Sequence, residues 1–436
     1  LEDTAHKTLE AKQFWLSLDN AAKIFPATLS DEVTTVFRLS AVLKQPIKIK
    51  PLMKAVSLLE NRFPYYKVQL KKGFFWYYLE YIPLRFPVEV DDKSPCRKFP
   101  KNNLLLRILV KNNRLSVEFS HILSDGSGAF HFLKTLLILY SKECGATIPE
   151  NFEFYRPDEE ISEEEYEDAY KRYFKEDIPP IVKKSKSFHL PYALKNPPRF
   201  EITNAIISID KIKSKAKEKG VTITDYITAV YLYALQEIHE ELSPFSRFKK
   251  HKFIRLEVPI NLRNIFHSQT MRNFTLFVMP EIDLRLGHYT FDEIIRRVYH
   301  QMRLETDEKL ISKNISRNVG SEKKIYVKSI PLVLKSLILK MKFYSLGASQ
   351  YSGVVTNLGK TQFPEDTESM IDYFAITAPP PNKMLKVNCG IIGFGDKLVL
   401  SFGNITKSKE LEEKIFKFLK NKGIDVTIEN KENGTL

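Results

Sequence analysis

The sequence predicts a mixed α/β chain (α+β in its order of elements) folded as two lobes, on three observations. Its 436 residues exceed what one ordinary hydrophobic core serves. Strand-patterned and helix-patterned segments alternate along its whole length. An acidic stretch followed by prolines interrupts that alternation before the middle, so we divide the chain into residues 1–180 and 181–436.

In the first half, Glu10 to Phe25 reads as a short amphipathic helix and loop, and Val33 to Val42 as a strand. Leu52, Met53, Val56, Leu59 and Phe63 have helical spacing over Pro51 to Phe63. Phe74 to Ile82 is an aromatic-rich strand after the turn Lys71-Lys72-Gly73, and its aromatic run, residues 74–78, is expected in the core. Leu104 to Val110 and Arg114 to Phe119 form a hairpin about Asn112-Asn113, and Ala129 to Tyr140 has the pattern of a buried helix. From Asn151 to Lys186 a run of Glu and Asp leads to Pro179-Pro180. It is expected as a solvated loop and surface helix joining the lobes, with docking of a basic partner as the functional alternative.

The second half opens with a strand, Glu201 to Ile209, and a helix, Asp210 to Lys219, stopped by Gly220. Thr222 or Thr224 caps a long helix from Asp225 to Glu241. Phe253 to Val258 is a strand running into Pro259-Ile260-Asn261-Leu262-Arg263. Thr290 to Leu304 is an amphipathic helix. Ile325 to Tyr344, rich in Leu, Ile and Lys and broken by Pro331, is too often charged to span a bilayer. It reads as a helix pair at the lobe boundary, with a membrane-surface helix or acyl-chain contact as the alternative. Cys389 to Phe394 and Leu398 to Asn404 form a hairpin, and Ser408 to Asn421 is the closing helix.

The stretch with the most chemistry is Ser120 to Gly128, Ser-His-Ile-Leu-Ser-Asp-Gly-Ser-Gly. It joins a strand to a buried helix, so His121 stands at a strand end and Asp125 in the tight connection after it. Imidazole titrates near neutral pH and can take a proton from an alcohol or amine. Asp125 could orient that ring or pair with a cation and fix the loop. Gly126 and Gly128 would let the backbone turn and approach a neighbour closely. The bland alternative is a hydrogen-bonded core His with a turn Asp.

His121, Asp125 and Gly126 resemble the His-x-x-x-Asp-Gly signature of the condensation-domain superfamily. That superfamily includes peptide-synthetase condensation domains, alcohol acetyltransferases, mycobacterial polyketide-associated acyltransferases and plant acyltransferases. The resemblance implies two chloramphenicol acetyltransferase-like lobes, each a mixed sheet covered by helices, with an active-site tunnel between them. It implies His121 as the catalytic base, and Asp125 turned away from the reacting centre to pair with an Arg, here Arg263. Thr356 and Asn357, in Ser-Gly-Val-Val-Thr-Asn-Leu-Gly, resemble a segment near the family's tunnel and are candidates for holding an acceptor or a developing oxyanion. Asn273-Phe274 resembles the family's Gly-Asn-aromatic step, with Arg272 where Gly is common. Ser120 occupies the place of a second His found in many condensation domains, which counts mildly against peptide-bond condensation.

Composition bounds the rest. A hydrophobic content of 43% and a charged content of 28% describe a soluble globular chain. Three scattered cysteines indicate neither a disulfide framework nor a zinc site and fit a cytoplasmic, reducing setting. Leu1 to Glu10 lacks the apolar core of a signal peptide. The net charge of +14 comes without a nucleic-acid-binding signature, so nucleic acid is not expected as a partner. Part of that charge could steer an anionic donor such as acyl-coenzyme A, or an acyl carrier protein. No phosphate loop, nucleophile elbow or metal-ligand cluster is present in the sequence. The expectation is a monomeric acyltransferase needing no metal or permanent cofactor, moving an acyl group from a coenzyme A or phosphopantetheine thioester to an alcohol or amine. The alternatives are a free-standing condensation enzyme and a non-catalytic relative that binds an acyl ligand or partner.

Overall fold

The computed structural model describes residues 14–176, 184–243 and 252–429. Pro179-Pro180 and the start of the expected first helix, residues 10–13, lie outside the described residues.

The first lobe contains β1 (Trp15–Ser17), α1 (Phe25–Thr28), β2 (Val36–Leu43), α2 (Ile49–Arg62), β3 (Val68–Lys72), β4 (Tyr77–Tyr81), β5 (Val88–Val90), β6 (Leu106–Lys111), β7 (Arg114–Ser120) and α3 (Gly126–Glu143). A short α4 (Ala169–Arg172) leads towards the second lobe. That lobe is built from β8 (Glu201–Ser208), α5 (Ile209–Glu218), α6 (Ile223–Glu240), β9 (Phe253–Asn261), β10 (Thr275–Val278), β11 (Glu281–Asp283), α7 (Phe291–Glu305), α8 (Glu308–Lys323), α9 (Ile325–Ser329) and α10 (Leu332–Lys342). After these come β12 (Gly353–Lys360), α11 (Glu365–Met370), β13 (Ile371–Thr377), β14 (Val387–Phe394), β15 (Lys397–Asn404), α12 (Glu410–Asn421) and β16 (Thr427–Ile428).

Two mixed sheets organise the molecule. One has the order β13-β2-β7-β6-β5 and packs α2 and α3 over a core that includes Phe63, Phe119 and Phe132. The other runs β10-β9-β12-β14-β15-β8-β16, with β11 also on β9, and carries α5, α6, α7 and α12 over a core around Tyr231, Leu256 and Ile391. Two of the second lobe's long helices start at capping boxes. Thr222 caps α6 in a reciprocal box with Asp225, and Thr290 caps α7 in one with Glu293.

Four features depart from the sequence reading. The expected helix over Glu10 to Phe25 is instead, in its described part, the strand β1 followed by short helical turns, because Leu16 pairs with Leu79 on the open edge of β4. The division at 180/181 leaves one strand on the other side. β13, from the second half of the chain, pairs antiparallel with β2 along its length. There the two sheets meet backbone to backbone, and a Cβ at Gly390 would lie 2.1 Å from the Ile376 carbonyl oxygen, so only glycine fits. The aromatic run is split: Phe74 and Phe75 sit exposed in the β3–β4 turn, while the residues of β4 face neighbours. The acidic run is only partly solvated. Glu165 is buried and receives both Arg62 amino groups (2.7 and 2.8 Å) and the Tyr65 hydroxyl (2.8 Å). A carboxylate bound in this bidentate way pins the connection to the first lobe.

Candidate active site

His121 follows the last residue of β7, and its backbone is held from both sides. Its N–H donates to the Thr35 carbonyl (2.9 Å), and its own carbonyl accepts from the Asn273 side chain (2.9 Å). Thr35 has φ 56°, a left-handed conformation that a β-branched residue adopts only when its surroundings impose it. The Ser120 hydroxyl closes the turn by accepting from the Ile122 N–H (3.2 Å). The imidazole is half-buried against Phe25 and Phe37, whose ring centres are 5.5 and 4.5 Å away. Burial lowers its pKa below the ordinary value, against the opposing pull of the Asp125 charge and of contacts with the Asn273 side chain and Ser124 main chain. The ring is therefore neutral at pH 7, the form a proton acceptor needs.

Asp125 has no free oxygen to offer that ring. Oδ1 accepts from the Gly128 N–H (3.0 Å) as the N-cap of α3. Oδ2 accepts from Arg263 Nη1 (2.9 Å) and the Phe274 N–H (2.8 Å). Arg263 follows β9 in the second lobe, and its other nitrogens donate to the Thr270 carbonyl (2.8 Å) and the Arg272 carbonyl (2.6 Å). The Met271 carbonyl in the same segment accepts from the Ser124 hydroxyl (2.5 Å) and the Tyr66 hydroxyl (2.6 Å). The His loop of one lobe is thus latched to residues 270–274 of the other. Gly128 is what permits the approach, since a Cβ there would stand 2.3 Å from the Met271 oxygen. Gly126 would meet the side chains of Leu358, at 3.2 Å, and Ile376, at 3.9 Å.

On the second sheet, Val355, Leu256 and Val258 enter the core beneath α6. Side chains alternate along strands, so Thr356 and Leu358 on β12, and Glu257 on β9, point to the opposite face, where Leu358 reaches Gly126. Thr356 is half-buried there. Asn357 points elsewhere: its amide donates to Thr224 Oγ1 (2.9 Å) and its carbonyl accepts from the Gly359 N–H (2.7 Å). The structure therefore brings together His121, Asp125, Gly126 and Arg263, places Thr356 on the same interlobe face, and turns Asn357 away to brace the start of α6.

Several residues here escaped the sequence reading. Glu257 has its pKa raised to about 7 by burial, partly offset by a hydrogen bond with Tyr351. Asp19 is fully buried behind Asn273. It accepts from that side chain (2.9 Å) and from the Ala22 N–H (2.8 Å). Burial, together with the Asp168 charge, raises its pKa to about 6 against the pull of Arg272. Arg272, at the position where Gly is common in the family resembled, buries its guanidinium against the Ser17 carbonyl (2.6 Å). Asn273 and Arg272 had a signal, the Asn-aromatic step and the unusual residue before it. The others rest on contacts between segments far apart in sequence, as Asp19 with Asn273 and Glu257 with Tyr351. Among the described residues, no three His, Cys, Asp or Glu side chains are grouped so as to hold a metal ion.

Comparison with known proteins gives a coherent picture. The sequence profile of the alcohol acetyltransferase family matches residues 183–277. No curated protein sequence matches the chain. Among solved structures, TRI101 of F. graminearum, complexed with coenzyme A and deoxynivalenol, is similar with a TM-score of 0.61 and 11% identity, over 95% of this chain and 99% of that one. Polyketide synthase associated protein 5 from Mycobacterium tuberculosis has a TM-score of 0.58 and 11% identity, over 93% and 97%. The starter condensation domain of rhizomide synthetase RzmA has a TM-score of 0.53 and 11% identity, over 94% and 96%.

Proposed function

We propose that this chain, which has the two-lobe fold of the condensation-domain and alcohol acetyltransferase superfamily, moves an acyl group from a thioester to an alcohol or amine with His121 as the general base. The observation that carries this reading is a neutral, half-buried imidazole on a loop whose Asp is wholly committed to the lobe-to-lobe latch. Such an imidazole acts by itself, unlike the relay-backed histidine of a hydrolase triad.

In the proposed reaction the acceptor enters between the lobes and gives its hydroxyl or amine proton to the His121 imidazole as its oxygen or nitrogen attacks the thioester carbonyl. The tetrahedral intermediate collapses, the carbon–sulfur bond breaks, and the imidazolium returns the proton to the departing thiolate. Thr356 is the group we assign to the acceptor or oxyanion side, and Asn357 positions the strand that carries it. Acyl-coenzyme A is the donor favoured by the coenzyme A-bound TRI101 structure, while the condensation-domain neighbour keeps a carrier-bound thioester as the second reading.

The test is thiol release from acyl-coenzyme A donors from acetyl to palmitoyl, with pooled alcohols and amines, for wild type and His121→Ala. Acceptor-dependent release that the substitution removes supports the reading. Equal release from both proteins overturns His121 as the base, and release only from phosphopantetheine-carrier thioesters moves the assignment to the condensation type.

A further inference from the structure

The outer face of α10 is apolar where a folded protein ordinarily presents polar side chains. Val333, Leu337 and Met341 are 72%, 58% and 59% exposed, and Leu334 is exposed beside them. Val333, Leu334 and Leu337, with Ala27 of α1, line a shallow groove of about 540 Å3. The turn between β3 and β4 abuts this helix. The Leu332 N–H donates to the Phe74 carbonyl (2.9 Å), and Lys335 Nζ donates to the Phe75 carbonyl (3.0 Å) while lying 3.6 Å from the centre of the Trp76 ring. Phe74, 72% exposed, therefore adds an aromatic side chain to the edge of the aliphatic patch. Two elements more than two hundred residues apart are fastened together to make this surface.

The segments that supply it are one-sided in charge, and the nearby acid Glu322 is paired with Lys23. Between Asp19 and Asp31, between Glu60 and Glu80, and between Glu322 and Glu365 the sequence has no acidic residue, and these three stretches supply α1, the β3–β4 turn and α10. Lys72, Lys328, Lys340 and Lys342 stand exposed on the same segments. Exposed Leu, Val, Met and Phe rimmed by lysine match a bilayer whose headgroups carry negative charge: the apolar side chains enter the headgroup–acyl boundary while the ammonium groups meet the anionic heads. No helix among the described residues is long and apolar enough to cross a membrane, so the contact would be with its surface.

We propose that the α10 face, with the β3–β4 turn, docks this protein on an anionic lipid surface. Its position says what docking would serve. Ala27 lines the groove, and Phe25, two residues earlier on the same short helix, packs against the His121 ring. The lipid surface would lie one short helix away from the base, so an acceptor or acyl chain partitioned in lipid would be presented close to the site. That last step rests on the acyltransferase reading; the docking does not.

The experiment is flotation of the full chain, without substrates, with phosphatidylcholine vesicles that contain or lack phosphatidylserine. Wild type is expected to float with the anionic vesicles and to be released by salt. Leu334→Glu/Leu337→Glu is expected to lose about tenfold or more in partitioning, and Lys340→Glu/Lys342→Glu to lose a similar factor on anionic vesicles only. His121→Ala is expected to float as wild type, which separates a failure of the catalytic reading from a failure of the docking. Retained turnover of a water-soluble acceptor by the leucine double variant would show that it folds. The proposal is overturned if wild type floats with neither vesicle, or if the leucine double variant floats as wild type does. It is also overturned if light scattering finds a wild-type dimer that the same substitutions split and that ignores lipid, which would make the face a contact between two copies.

Discussion

The His121 loop and the α10 face lie on either side of one short helix, yet they are built on opposite terms. In the loop, each oxygen of Asp125 and each terminal nitrogen of Arg263 has a partner within 3.0 Å. On α10, apolar side chains large enough to anchor a core are left in water. The first arrangement holds a geometry that nothing nearby can disturb cheaply. The second leaves a surface free energy that only a partner can recover. Substitutions should accordingly cost activity, stability or both in the loop and cost almost neither on the helix.

The largest effect expected is from His121→Ala, a fall of about 100- to 10,000-fold in turnover with little change in a denaturant melt, measured by thiol release. Because burial holds the imidazole pKa below its ordinary value, the acid limb of kcat/KM for wild type should lie below pH 6.5, with a plateau through neutrality. A limb centred above pH 7 would contradict that assignment.

Arg263→Ala comes next. It strands the buried Asp125 carboxylate and should cost about 3 kcal/mol in urea unfolding as well as much of the turnover. Arg263→Lys should recover only part of either, since one ammonium cannot reach Asp125 and the two carbonyls in the same fork geometry. If the alanine variant were as stable as wild type, the latch would not be holding the loop.

Glu257→Gln should change stability in the favourable direction. A carboxyl whose pKa rises to about 7 in the folded state favours folding while both states are protonated. That advantage is lost as pH rises from the ordinary carboxylate range through about 7. Removing the charge should therefore stabilise the protein by about 2 kcal/mol at pH 8 and leave it nearly unchanged at pH 4, read from unfolding midpoints at the two pH values. Smallest of all, Leu334→Glu/Leu337→Glu should shift unfolding by no more than about 0.5 kcal/mol, because both side chains are already exposed. A larger loss would show that they pack against the protein after all.

Much of the site's frame was legible because its signals are local. A strand, a turn at Asn112, which takes φ 51°, and a buried helix place His121 and Asp125 by short-range pattern alone. The motif resemblance supplied Arg263 as a partner 138 positions away. Other residues gave no such signal. Phe25 and Phe37 set the polarity around the imidazole, yet each is an ordinary aromatic in its own segment. Asn357 looked like a ligand for substrate until the register of β12 beside α6 turned it to Thr224. Phe74 read as core because aromatic runs usually are, and a turn of four residues between β3 and β4 lifted it out.

What the sequence by itself determined is therefore the kind of most elements, the mixed α/β two-lobe class, and the place of His121 and Asp125 between a strand and a buried helix. Those follow from backbone preference and hydrophobic period, which act over a few residues. Only the tertiary structure decided that β13 crosses into the first sheet, that the Phe274 and Gly128 N–H groups take up the rest of Asp125, that Glu257 and Thr356 share the interlobe face, and that α10 and the β3–β4 turn form one apolar surface. Each of these depends on which distant segments are brought within a few ångströms, and that is set by how whole sheets pack and register, a quantity no local stretch of sequence carries.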